Sequence, residues 1–123
     1  MSTNFVYTEE LKGRTKQFAI RIVRMSGALP KTYETRVLGT QVLRSGTSLA
    51  ANYRAACRAR SRAEFIAKLG TVVEEADETV FWLELLGETE IADLSQIKDL
   101  LQEASELLAI FSASRRTAKA KRN

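Results

Sequence analysis

The chain has 123 residues, 45% of them hydrophobic, with one cysteine, one proline, no histidine and a formal net charge of +4. That length makes one domain with a core of its own, and the lone Cys57 excludes an internal disulfide and fits a reducing, cytoplasmic setting. The missing histidine removes Ser-His and Cys-His dyads, a zinc site and the Glu-x-x-His ligands of a di-iron bundle, so neither a metal nor a cofactor is expected. Met1 to Tyr7 shows no signal-peptide pattern, and no apolar run approaches a membrane span.

The first helix is predicted from about Thr8 to Leu29. Thr8 is its N-cap, Glu9 and Glu10 suit the positive end of the dipole, and Pro30 stops it. Leu11, Thr15, Phe18, Ile22, Met25 and Leu29 recur in steps of three and four, the mark of a bundle seam. The second helix is predicted over roughly Tyr33 to Ala59. Its seam is Leu38, Val42, Ser45, Leu49, Asn52 and Ala56, and it is dense in small residues that let another backbone come close. Ser48 and Asn52 are expected on its inner side, where a buried amide needs a hydrogen bond.

The third helix opens at Ser61, with Glu64 three residues on as a capping box. Phe65, Leu69, Val72, Ala76, Val80 and Leu83 are its seam, and Gly87 suits the residue just past its end. The fourth opens near Asp93 or Ser95 and carries Leu94, Ile97, Leu101, Ala104, Leu108 and Phe111. From about Arg115 the chain reads as a frayed basic tail. Four such helices with short connections predict an all-α, up-down-up-down four-helix bundle, as a single domain over residues 1–123.

Charge divides this chain in two. Residues 11–62 hold twelve Lys or Arg against one acid, Glu34, and residues 63–111 hold twelve acids against Lys68 and Lys98. A bundle built this way has a basic side and an acidic side. It suits a polyanion, or contact between copies basic side to acidic side. On the second helix Arg44, Arg54 and Arg58 fall on one stripe, which Arg60 and Arg62 continue into the turn. Arg54, Arg58, Arg60 and Arg62 have no acid among them, whereas a merely solvated face mixes signs. Arginine also suits forked contact with phosphate. Arg115 and Arg116 add charge, together with Arg122. Glu74, Glu75, Asp77 and Glu78 crowd one helix with diverging side chains, which makes them partners for arginine before they are ligands for a metal. Cys57 reads as a small buried hydrophobe with no base to activate it.

Two apolar groups lie off the seams. Ile20, Val23 and Gly27 lie roughly opposite the first seam, and Phe81, Trp82 and Leu85 point away from Phe65 and Leu83. Scattered apolar surface is ordinary. Trp and Phe in one patch, however, are interface anchors, so a subunit interface is the sharper reading, with Glu75 and Glu78 beside it.

Arg44 to Asn52 (Arg-Ser-Gly-Thr-Ser-Leu-Ala-Ala-Asn), Ser61 to Leu69 (Ser-Arg-Ala-Glu-Phe-Ile-Ala-Lys-Leu), and Glu75, Ala76, Glu78, Thr79, Trp82, Leu83, Leu85 and Leu86 together resemble a known family. It is the bacterial four helix bundle proteins, first noted as products of intervening sequences in large-subunit ribosomal RNA genes. The resemblance covers nearly the whole chain. It implies a bundle that assembles into a homopentameric ring. A relative, the accessory protein of diversity-generating retroelements, is a basic barrel that binds nucleic acid and a reverse transcriptase. Many members carry an acid soon after the asparagine, in Asn-Ile-x-Glu. Here the run is Asn52, Tyr53, Arg54, Ala55, which leaves the basic stripe less neutralised.

The expected function is therefore a non-enzymatic, ring-forming homo-oligomer that binds RNA or DNA through phosphates. It has no membrane partner and no small-molecule substrate. The rival is a purely structural or scaffolding oligomer whose charges serve assembly. The two differ in whether the arginine stripe meets a ligand or a neighbouring subunit.

Overall fold

The computed structural model describes residues 2–121, with side chains from Thr8 onward. Among these residues the chain forms α1 (Ser2–Gly27), α2 (Tyr33–Ala56), α3 (Arg62–Glu88) and α4 (Leu94–Ala120), an all-α four-helix bundle without strands. Neighbours in sequence pack as neighbours in space, and α4 closes onto α1 through the smallest of the four helix contacts.

The caps follow local chemistry. Thr32 takes the Thr35 amide at 3.2 Å and starts α2. Ser61 takes the Glu64 amide at 3.0 Å and starts α3. The Glu64 carboxylate reaches back to the amide of Arg60 at 3.0 Å, one residue beyond the usual capping-box partner. Asp93 starts α4 by accepting from the Ser95 hydroxyl and the Gln96 and Ser95 amides, which hold its carboxyl below the ordinary carboxylate value.

Several boundaries differ from expectation. α1 starts at Ser2 and not at Thr8, since no glycine or proline interrupts the run, so Glu9 and Glu10 lie inside the helix. α2 ends at Ala56, where the Cys57 amide closes onto Tyr53. Gly87 is not the residue past the end of α3. That place falls to Glu90, at φ 58°, with Glu90 N–H donating to Gly87 O and Ile91 N–H to Leu86 O. A Cβ at Gly87 would stand 3.1 Å from Ile97, so this glycine serves the approach of α4. The expected frayed tail is helix as far as Ala120, because the Arg62 and Arg115 side chains bind backbone carbonyls across the α3–α4 seam. Arg122 lies outside the described residues.

The whole predicted seam of α1 is buried. On α2, Leu38 and Asn52 are half-buried and Tyr53 is buried in addition. On α4, Leu100 and Leu107 are buried where Leu101 and Leu108 were expected, and Leu94 is 56% exposed. Each large aliphatic side chain fully removed from water contributes about 1.5–3 kcal/mol, so these rows hold the bundle together. Ser45 and Thr79 form a hydroxyl pair at 2.9 Å, both fully buried, between α2 and α3. A buried hydroxyl needs a partner, so this pair fixes the register of the two helices. α1 comes close to α2 at two glycines. A Cβ at Gly46 would lie 3.0 Å from Ile22, and one at Gly39 would lie 3.3 Å from Leu29.

Candidate nucleic-acid interface

The antiparallel register that sets Gly39 beside Leu29 and Gly46 beside Ile22 carries on down the bundle. It brings the first half of α1 against the last half of α2. There a groove of about 490 Å³ opens between the helices, lined by Glu9, Lys12, Gly13, Lys16, Ala50, Ala51, Arg54 and Arg58. Its floor is small because Gly13, Ala50 and Ala51 have little or no side chain. Its walls carry four cations. Lys12 pairs with Glu9 at 2.8 Å. Among the described residues no carboxylate lies within ion-pair distance of Lys16, Arg54 or Arg58, all of them exposed.

The other expected bases go elsewhere. Arg44 turns to the opposite flank of α2 and pairs with Glu75 at 3.3 Å and with Glu78. Its charge is offset within the chain by two acids expected at a subunit interface, which keep a net negative charge between them. The cause is the α2–α3 register, which sets an arginine level with two carboxylates one turn apart. Arg62 donates from Nε to the Ala118 carbonyl at 3.2 Å, near the C-terminal end of α4 where orphan carbonyls collect. Arg115 lies over Gly70, with Nε 3.5 Å from the Ile66 carbonyl. Arg60 and Arg116 are exposed and lie outside the groove.

Lys12 and Lys16 were not singled out in the sequence. Their spacing of four residues was a signal, since it places both on one face of α1. The choice of neighbouring helix decided the rest. Arg14, two residues from each, faces α4 and is bound to Glu103 by two hydrogen bonds of 2.7 and 2.8 Å and to Glu106 at 2.7 Å. Hydrogen bonding to Glu103 raises the Arg14 pKa above its already high ordinary value, and the same bond lowers that of Glu103.

The apolar groups off the seams fall at the far end of α2. Phe81 is 52% exposed, as expected of a surface anchor. Trp82 does not point away from the core, whereas Leu85 faces a surface groove. Both are half-buried, and Trp82 packs against the core and edge-on to Phe81 at 4.9 Å. The buried Trp82 indole N–H finds no acceptor among the described residues. Leu85 lines an apolar groove of about 620 Å³ with Tyr33, Val37, Leu38 and Ile91, on the α3 flank of α2. On the α1 flank Val23, 50% exposed, and Gly27 join Leu43 around a second hollow that carries Lys31 and Arg36. Ile20 is half-buried and not part of that hollow. Asn52 is half-buried and donates to the Ser48 carbonyl at 2.8 Å on its own helix. Burial raises the pKa of the half-buried Cys57 thiol, which keeps it protonated at neutral pH.

Against known proteins, the sequence profile of the 23S rRNA-intervening sequence protein family matches residues 10–113. The chain belongs to that family. A crystal structure at 1.70 Å of a protein of unknown function, from the S23 ribosomal protein family of Bacteroides thetaiotaomicron, superposes with a TM-score of 0.81 at 37% identity. The match covers 89% of this chain and 97% of that one. No curated protein matches. No described helix in this member of the family is long and apolar enough to cross a membrane, and the described residues contain no group of three potential metal ligands.

Proposed function

We propose that this protein is a non-enzymatic homo-oligomer, a pentameric ring of the kind the family resemblance implies, that binds RNA or DNA through its phosphates in the α1–α2 groove. One observation carries the reading. Three cations converge on a small-floored groove without an acid to offset them, while Arg14 and Arg44 on the same two helices are fully engaged inside the chain. Like charges held together cost free energy, and a bound polyanion removes that cost. The absence of histidine and the protonated Cys57 support a protein without catalysis, and the single thiol fits a cytoplasmic setting.

Assembly draws on the other end of α2. A ring needs two different patches that fit each other. The apolar α2–α3 groove, with Glu34 in its lining, complements the Val23–Leu43 hollow with its Lys31 and Arg36 on the next copy. Ligand and neighbour then use opposite ends of one helix.

The test combines gel filtration with light scattering and a mobility shift of mixed-sequence RNA and DNA at low salt. Arg54→Glu with Arg58→Glu is expected to leave the mass unchanged and abolish the shift. A ring that falls apart in that variant assigns the arginines to a neighbouring subunit and leaves a scaffold. Wild type that shifts neither nucleic acid ends the phosphate reading. Val37→Glu is expected to lower the mass, since an anchor in an apolar interface is worth roughly 2 kcal/mol.

A further inference from the structure

We infer that the α1–α2 groove seats two successive phosphates of one strand and makes no use of the bases, an inference that rests on reading the groove as a phosphate site. Lys12 and Lys16 are four residues apart on one wall, and Arg54 and Arg58 four apart on the other. Four helical residues rise about 6 Å. That rise is close to the step between neighbouring phosphates in an extended strand. The walls therefore repeat in register with a sugar-phosphate backbone, two cations to each phosphate. The floor of Gly13, Ala50 and Ala51 leaves room for the backbone to sink between them, and the space above Gly13 is open.

The bases find nothing to hold. Stacking is strongest on an exposed aromatic ring, and the groove lining has none. Tyr53, beside Arg54 in sequence, is 5% exposed, with its ring 4.7 Å from Phe111 in the core. The commonest base-edge contact is arginine or lysine to guanine, and in this groove those side chains are taken up by the phosphates; adenine is read by asparagine or glutamine. The described lining has neither of these amides, and its one acceptor, Glu9, is tied to Lys12. The bases therefore point away from the protein. Glu9 is the one acid in the groove, and it opposes the phosphates directly.

The experiment is fluorescence anisotropy with the full chain at one fixed salt concentration. The probes are a labelled mixed-sequence DNA strand of about twelve nucleotides and an abasic sugar-phosphate strand of the same length. The abasic strand is expected to bind within about twofold of the normal one, where even one stacked base would separate them by about tenfold. Glu9→Gln is expected to tighten both by about threefold, the effect of removing one like charge at close range in water. A normal strand that binds while the abasic strand falls tenfold behind overturns this inference and leaves phosphate binding intact. Glu9→Gln with unchanged affinity for both strands places the phosphates elsewhere and also overturns it. Binding of neither strand overturns the phosphate reading itself.

Discussion

Along its α3 flank α2 presents Arg44 to Glu75 and Glu78, and along its α1 flank it presents Arg54 and Arg58 to Lys12 and Lys16. The residue type is the same and the helix is the same. On the first flank the arginine is neutralised within the chain, and that flank is structure. On the second the charges accumulate, and that flank is the one we propose for an anion. The sign of the helix packed alongside decides which arginine is available, and the basic-then-acidic order of the sequence makes α1 the helix that leaves α2 uncompensated.

The largest expected effect comes from forcing the two walls of the groove apart. Gly46→Leu places a side chain where even a Cβ would lie 3.0 Å from Ile22. Overpacking of this kind is expected to cost about 2–3 kcal/mol, read by chemical denaturation, and to weaken nucleic-acid binding as α1 shifts. Next in size is neutralisation of the groove itself. Lys16→Gln with Arg54→Gln and Arg58→Gln is expected to lower affinity by about tenfold or more, while stability changes by less than about 0.5 kcal/mol because all three side chains are exposed.

A smaller effect separates α1's own flanks. Arg14→Gln is expected to cost about 1 kcal/mol near neutral pH, since the pair is partly exposed and screened. The Glu103 carboxyl lies below its ordinary value of 4.5 because Arg14 hydrogen-bonds the ionised form. A depressed carboxylate contributes stability above the unfolded value and loses it as pH falls through the folded one. The difference between wild type and Arg14→Gln is therefore expected to persist above pH 4.5 and vanish in stronger acid, measured by thermal melts across pH. Smallest is Arg44→Gln, expected to cost about 0.5 kcal/mol and to leave nucleic-acid affinity where it was.

Much of this was legible in the sequence. The α1 seam from Leu11 to Leu29 is buried throughout, because its steps of three and four meet no competing signal. The end of α3 was misplaced because Gly87 has two possible uses, a helix stop or a close contact, and only the packing of Ile97 chooses between them. Arg54 and Arg58 were legible from sign purity along one helix. Lys12 and Lys16 were not, because the groove belongs to two helices and its register is set by Gly39 and Gly46, far from the charges. Arg44 and Arg62 looked equivalent to Arg54 for the same reason. Their partners, Glu75 and Glu78 for one and the Ala118 carbonyl for the other, lie 31 or more residues away along the chain.

The salt dependence of binding separates the two flanks most directly. Each phosphate neutralised on a single strand contributes about 0.7 to the slope of log affinity against log salt, so two phosphates in the groove contribute about 1.4. Wild type, the Lys16–Arg54–Arg58 triple glutamine variant and Arg44→Gln are titrated with the same strand. The triple variant is expected to be flatter than wild type by about 1.4, and Arg44→Gln to run parallel to wild type. A triple variant with the wild-type slope, or an Arg44→Gln protein as flat as the triple, would contradict the assignment of phosphate to the α1 flank of α2.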